Sequence, residues 1–329
     1  MRSAGVPDAT GRPPDLTAAP TVVAILGPTA SGKSALGVAL AERFGGEIVS
    51  CDSTAVYRGF DIGTDKPPLA ARRGVPHHLI DVADPEEDYT AARYAQEAAA
   101  AVRAVHARGR LPIVVGGTGL YYRALTRGLF PGPGRDARLR ARLDAIAARR
   151  GSPFLHRMVA RVDPPSARRI QPRDTKRLVR ALEVFFLTGR PLTAHFAETV
   201  APLDGWRILP VGLRLDAPVT AERVARRVDE QFARGLVDEV RRLLAQGVPA
   251  TARPFGGLVY RQVMEQLQGV RDEASTRALI VQENRRYARR QLIWFRKEPN
   301  LEWFQGAGEA LATRTAVERA LAAHWQERC

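Results

Sequence analysis

Three kinds of residue in this 329-residue chain could do chemistry together: a lysine–serine pair closing a glycine-rich run, a carboxylate shortly after it, and arginines in clusters. The run is Gly27-Pro28-Thr29-Ala30-Ser31-Gly32-Lys33-Ser34, with the spacing G-x-x-x-x-G-K-S. Backbone N–H groups of such a loop converge on one concave spot, and the helix N-terminus behind them adds partial positive charge. Lys33 adds a full charge, and the Ser34 hydroxyl suits a divalent cation, Mg2+ above all. These residues predict a polyphosphate site, with ATP as the obvious ligand. They do not say what is done to the phosphate. The alternative is a plain glycine turn, and the complete eight-residue match speaks against it.

The loop needs a strand before it and a helix after it. Thr21–Leu26 is an apolar run that reads as a buried strand, and Ala35–Arg43 reads as a helix. Residues 47–49 make a short second strand leading to Asp52 and Ser53. Ligands of open α/β sheets bind beyond the carboxyl ends of strands, so Asp52 is expected to face the phosphate loop. Thr90 suits the N-cap of a long helix ending near Arg108, stopped by Gly109. The next strand, Leu111–Val115, runs into Gly116-Gly117-Thr118, where a P-loop ATPase usually has an aspartate for its metal. Asp52 is the only acid in a comparable place. His77 and His78 point to opposite faces of a strand and lack a third ligand nearby, which favours a structural or substrate-loop role over a metal site. Cys51 and the terminal Cys329 give no disulfide framework, and Cys51 reads as a small buried hydrophobe.

Charge divides the chain. Lys and Arg total 50 against 35 Asp and Glu, a formal net charge of +15 with pI ≈ 10.8. Between Arg135 and Arg180, 14 basic residues face 4 acidic ones, which is two thirds of the excess. Arg285 to Lys297 holds six basic residues and no acid, interleaved with Tyr287, Trp294 and Phe295. That pattern suits phosphate contacts and base stacking, although Trp294 and Phe295 could equally be core residues with only the arginines outside. Arg223 and Arg227, four apart on a helix, share one face. Pro131-Gly132-Pro133-Gly134 marks a joint. The chain therefore reads as an α/β, P-loop NTPase-like parallel sheet flanked by helices, with a small all-helical insertion at 122–199. The core occupies 21–121 and 200–329, and residues 1–20 form a disordered leader. No apolar run is long enough to span a bilayer, and a cytoplasmic monomer is expected.

A set of ordered motifs carries a specific resemblance. It includes the phosphate loop, Asp52-Ser53 with Tyr57, Asp61-Ile-Gly-Thr64, Pro76-His-His-Leu-Ile-Asp81 and Val115-Gly-Gly-Thr-Gly-Leu-Tyr121. It continues with Arg169-Ile-x-Pro-x-Asp174, Arg177-x-x-Arg-Ala-Leu-Glu-Val184 and Tyr287-Ala-x-Arg-Gln291. Over about residues 21–305 the chain resembles the bacterial tRNA dimethylallyltransferases, also called tRNA isopentenyltransferases. The resemblance implies transfer of a dimethylallyl group from dimethylallyl diphosphate to the exocyclic amine of the adenosine 3′ of the anticodon, in tRNAs reading U-starting codons. Pyrophosphate leaves. It implies Asp52 as the base, with Thr29 and Arg227 as further catalytic residues, and Gly27 to Ser34 with Arg227 on the diphosphate, Ser34 holding Mg2+. For the tRNA anticodon stem-loop it implies Asp52, Ser53, Thr54, Ala55, Thr118 and Arg140. It adds Arg169, Ile170, Gln171, Pro172, Arg173, Arg177 and Arg180, then Tyr260, Arg261, Arg289, Arg290, Gln291 and Arg296. Two departures stand out: Ala55 where many members have Gln, and Val259 where the family has Gly before Tyr260.

Three rivals differ in what they require. A nucleoside or nucleotide kinase would want a clearer acidic metal strand. A prenyltransferase acting on free adenine nucleotides would not need the basic insertion. A non-enzymatic RNA-binding protein would not need Asp52 beside a complete phosphate loop.

Overall fold

The computed structural model describes residues 20–326; the expected leader, up to residue 19, and Cys329 lie outside the described residues. The chain forms two compact units, one of residues up to Thr126 and from Leu203 onward, the other Arg127–Pro202.

The first unit is built on six parallel strands in the order β3-β2-β4-β1-β5-β6. They are β1 (Thr21–Leu26), β2 (Gly46–Cys51), β3 (His77–His78), β4 (Leu111–Gly116), β5 (Arg207–Arg214) and β6 (Glu302–Gln305). β1 has no polar alternation because both its faces are covered. Val22, Ala24 and Leu26 point into one core, while Val23 and Ile25 point into another. That is the two-residue period of a strand. Helix α1 (Lys33–Phe44) supplies Leu36 and Leu40 to the second core. The short α2 is Leu69–Arg72, and α3 (Ala91–Ala107) packs Tyr94, Ala98 and Val102 on the first core. Thr90 caps α3 by accepting the Arg93 amide. α4 spans Gly119–Arg127.

The second unit is all helical: α5 (Ala137–Arg150), α6 (Ser152–Val162), α7 (Pro164–Arg169) and α8 (Thr175–Thr188). Asp136, Asp163 and Asp174 cap α5, α7 and α8 with their carboxylates, and left-handed Gly189 ends α8. Leu143, Leu155, Val159, Leu178 and Leu182 form its own core. The composition changes at Tyr122, but the division between units falls at Arg127. Tyr122 and Leu125 lie within α4 and are buried in the sheet unit's core, so the sequence boundary at 122 falls inside a helix. At the other end the sheet unit resumes at Leu203 rather than at residue 200.

After β5 come α9 (Ala217–Ala233), α10 (Leu236–Ala245), α11 (Tyr260–Leu267), α12 (Glu273–Phe295) and, past β6, α13 (Leu311–Gln326). Val228, Val240, Val263, Ile280 and Phe295 bring α9 to α12 onto the first core, and Val317 and Leu321 bring α13 onto the second. Among the described residues no helix is long and apolar enough to cross a membrane.

Candidate active site

β1 delivers the chain to the phosphate loop at the carboxyl edge of the sheet. Gly32 has φ 82°, a left-handed conformation that glycine adopts without steric cost. A side chain there would also collide with the Glu309 carboxylate, and the Gly308 amide donates to the Ser31 carbonyl at 2.9 Å. The loop is thus braced from behind by residues 308–309. α1 starts as the Leu36 amide reaches the Gly32 carbonyl. Burial pushes the Lys33 ammonium below its ordinary pKa; Asp52 opposes that and Arg227 adds to it. The buried Ser31 hydroxyl has no hydrogen-bond partner among the described residues.

β2 delivers Asp52 into the same cavity, of about 320 Å3, that Thr29, Lys33, Ser34 and Arg227 line. Asp52 Oδ1 accepts from the Thr54 amide (2.9 Å) and hydroxyl (2.6 Å), which fixes the carboxylate and leaves Oδ2 without a partner among the described residues. Thr118 ties the ends of β2 and β4 together: its amide donates to the Cys51 carbonyl and its hydroxyl accepts the Ser53 amide at 3.0 Å. Gly116, where a metal-binding acid would be sought, faces the Cys51 carbonyl so closely that no side chain fits. Burial pushes the Cys51 thiol up to about 12, so it stays protonated.

The paired arginines of α9 are not a solvated face. Arg223 Nε donates to the Ala30 carbonyl of the phosphate loop at 2.7 Å, and its NH2 meets Glu309 at 2.6 Å. Arg227 makes longer bonds, 3.3 Å to Asp65 and 3.4 Å to Asn284, and its buried Nε has no partner among the described residues. Lys66 pins the connecting loop by reaching Asp61, Asp81 and the Tyr57 carbonyl. His77 lines the cavity, while His78 is spent on Glu47 at 2.7 Å; among the described residues no cluster of three metal-ligating side chains exists.

Several residues assigned to RNA by the resemblance have structural work. Arg140 makes a bidentate pair with Glu183 at 2.7 and 2.8 Å, and Arg180 joins it at 2.7 Å. Burial would raise the Glu183 pKa, but the two arginines and the Asp136 amide outweigh it and hold it down to about 2. Ile170 is buried. Gln171, Pro172, Arg173 and Arg177 are exposed on and beside the turn before α8; Arg177 pairs with Asp174, and Arg169 lies over Phe196. Tyr260 is buried, with its hydroxyl donating to Glu239 at 2.6 Å and accepting from Gly63. Arg261 is exposed. Val259 sits just before Tyr260 at φ 77°, where a β-branched residue is strained. Gln291 is buried too: its Oε1 accepts the Thr29 amide at 2.8 Å and its Nε2 donates to the Gly117 carbonyl at 2.9 Å. It ties α12 to the phosphate loop. Arg289 and Arg290 are exposed on α12 and Arg296 just after it, Phe295 is core, and Trp294 is half-buried beneath Arg123. Tyr287 lines the cavity; burial and the charge of Asp52 raise its hydroxyl to about 12, so it remains a donor.

Glu239 is a site residue that sequence reasoning missed: it accepts the amides of Asp61, Ile62 and Gly63 and so shapes the loop carrying Asp65. A single acid at a core position of an amphipathic helix was the available signal.

Comparison with known proteins bears on this arrangement. Residues 55–298 match the family model described as IPP transferase. The chain belongs to the IPP transferase family. Among curated relatives, the tRNA dimethylallyltransferase of Solibacter usitatus is 50% identical over 91% of this chain and 97% of its own. That of Koribacter versatilis is 47% identical over 89% and 95%. Among solved structures, the tRNA isopentenylpyrophosphate transferase of Bacillus halodurans shares 35% identity at a TM-score of 0.69, covering 93% of this chain and 97% of that one. A eukaryotic dimethylallyltransferase acting on tRNA shares 26% at 0.77, covering 92% and 78%. The expected α/β, P-loop NTPase-like class agrees with these neighbours and with the parallel sheet.

Proposed function

We propose that this IPP transferase family member moves a dimethylallyl group from dimethylallyl diphosphate to the exocyclic amine of the adenosine 3′ of the anticodon, in tRNAs reading U-starting codons, releasing pyrophosphate. The observation that carries the reading is the shared cavity, in which a partner-free carboxylate oxygen of Asp52 stands with Lys33 and Arg227 beside a complete phosphate loop.

The exocyclic amine is a weak nucleophile because its lone pair is delocalised into the ring. Asp52 Oδ2 accepts the amine proton as the new C–N bond forms, while Oδ1 stays fixed by Thr54. The electron pair of the breaking allylic C–O bond goes to the diphosphate. Loop amides, Lys33 and the unpartnered Nε of Arg227 meet the charge that grows there. A diphosphate beside Lys33 opposes the burial that lowers its pKa and so favours the ammonium form. The exposed Ser34 hydroxyl, an oxygen donor of the kind a hard cation takes, would hold Mg2+. When bound it neutralises diphosphate charge. Thr29 is fixed by Gln291 at the cavity wall. The exposed arginines, Arg169, Arg173 and Arg177 among them, contact tRNA phosphates, and removing the base from its stack brings its amine to Asp52. A cytoplasmic monomer is expected.

Dimethylallyl diphosphate labelled in its allyl carbon, offered with an anticodon stem-loop carrying three consecutive adenosines and in parallel with free AMP, tests the reading. Label is expected in the RNA and not in AMP. Transfer of the γ-phosphate of ATP to a small acceptor, with no carbon transfer, would contradict it.

A further inference from the structure

α12 presents different faces to two cavities. Asn284, Tyr287 and Gln291 line the active-site cavity. Arg285, Arg289, Leu292 and Arg296 line a separate groove of about 940 Å3, whose opposite wall carries Arg214, Asp216 and Thr220. At 3.6 residues per turn the two sets lie more than a third of a turn apart. Pro28 lines the groove and its neighbour Thr29 lines the cavity, so the phosphate loop and α12 together form the partition.

The groove holds unusual charge. Arg286, also on its wall, pairs with Glu283. Among the described residues, Arg214, Arg285, Arg289 and Arg296 have no carboxylate partner, and all four are exposed. The acid on the groove wall, Asp216, accepts from Gln305 at 3.0 Å. The sheet unit pairs most of its other arginines near a site with acids, as Arg223 with Glu309 and Arg227 with Asp65 show. Four uncompensated guanidiniums facing one trough repel one another unless a polyanion occupies it. Leu292 and Ile293 add an apolar strip, with Ile293 45% exposed.

We infer that this groove is a second RNA-backbone site, in which Arg214 and Arg285 join Arg289 and Arg296 in gripping phosphates of the same tRNA whose adenosine enters the cavity across α12. The inference rests on the tRNA-modifying reading of the chain. It adds Arg214 and Arg285 to the RNA surface. An α-helix is only about 10–12 Å thick, so a strand with one base in the cavity needs few nucleotides to reach the groove.

The test compares Arg214→Gln/Arg285→Gln with Arg242→Gln/Arg319→Gln, a pair outside the groove that removes equal charge. Binding of a full tRNA is measured from 50 to 200 mM salt, alongside steady-state prenyl transfer. The groove pair is expected to weaken binding about tenfold and to flatten the log–log salt slope by roughly 1.5, since each phosphate contact contributes about 0.7–0.9. KM for tRNA rises with far less change in kcat, and pyrophosphate affinity is unchanged. Equal effects in both pairs would reduce the result to net charge and overturn the inference. So would a groove pair indistinguishable from the unaltered protein. Absence of prenyl transfer by the unaltered protein would instead contradict the functional reading.

Discussion

At the sheet edge, several groups beside the phosphate loop are held in place by short hydrogen bonds. Asp52 is oriented by Thr54, Arg223 by the Ala30 carbonyl and Glu309, and Thr29 by Gln291. In the helical unit, charge is plentiful and mostly loose. Arg140 and Arg180 converge on buried Glu183, but Arg168, Arg169 and Arg173 face solvent and Arg177 meets only the half-exposed Asp174. The first arrangement suits stabilisation of charge at one point, which needs donors placed before the reaction. The second suits a long polyanion, which needs summed charge and tolerates side-chain freedom. One unit should therefore answer to mutation through rate, and the other through affinity.

The largest effect expected is from Asp52→Ala. Loss of a general base typically costs about 10²–10⁴-fold, so kcat should fall by that order while tRNA affinity stays within about twofold in filter binding. Near-normal turnover would remove Asp52 as the base and erase the contrast. Next is Glu183→Ala, which leaves two arginines around a buried vacancy. Breaking such a pair costs about 3–5 kcal/mol, so the melting of the helical unit should drop sharply. The pH dependence has a defined sign. Glu183 has a depressed pKa, about 2 against 4.5, so its contribution is full above 4.5 and is lost as pH falls through about 2. Chemical denaturation between pH 5 and 2 should show this loss, and Glu183→Gln should flatten it.

A smaller effect sharpens the affinity side. Neutralising Arg169, Arg173 and Arg177 together should lower the salt slope of tRNA binding by roughly 2 and raise KM, with kcat at saturating tRNA nearly unchanged. A fall in kcat without a change in slope would transfer these arginines from affinity to catalysis. The smallest effect concerns Val259. Its left-handed backbone costs of order 1–3 kcal/mol, and its side chain is buried. Val259→Gly relieves the strain while losing packing; Val259→Ala loses packing and keeps the strain. Glycine should therefore be the more stable of the two in urea titrations, the reverse of the usual order.

What the sequence discloses depends on distance along the chain. β1, the phosphate loop and α1 are contiguous, so hydrophobic pattern and spacing suffice to read them, and Asp52 follows one short strand later. The bond from Gln291 to Thr29 spans 262 residues, and that from Glu239 to Ile62 spans 177. No local pattern marks such pairs. A motif can flag Gln291, yet only the fold separates a brace of the phosphate loop from an RNA contact. Glu183 was similarly hidden in the apolar run Ala-Leu-Glu-Val, although arginine three residues before it was a usable hint. β6 gives no signal because its four residues, exposed at both ends and half-buried between, do not alternate. The departure at Val259 was legible as a change of residue, but its backbone strain required coordinates.

On the proposed reading the phosphate loop grips a diphosphate that departs, rather than a phosphoryl group that transfers. Dimethylallyl diphosphate carrying carbon label in the allyl group and phosphorus label in the β-phosphate tests it in one reaction with an anticodon stem-loop. Carbon label is expected in the RNA and all phosphorus label in pyrophosphate, one equivalent for each allyl group transferred. Phosphorus label in the RNA, or release of orthophosphate in step with product, would contradict it.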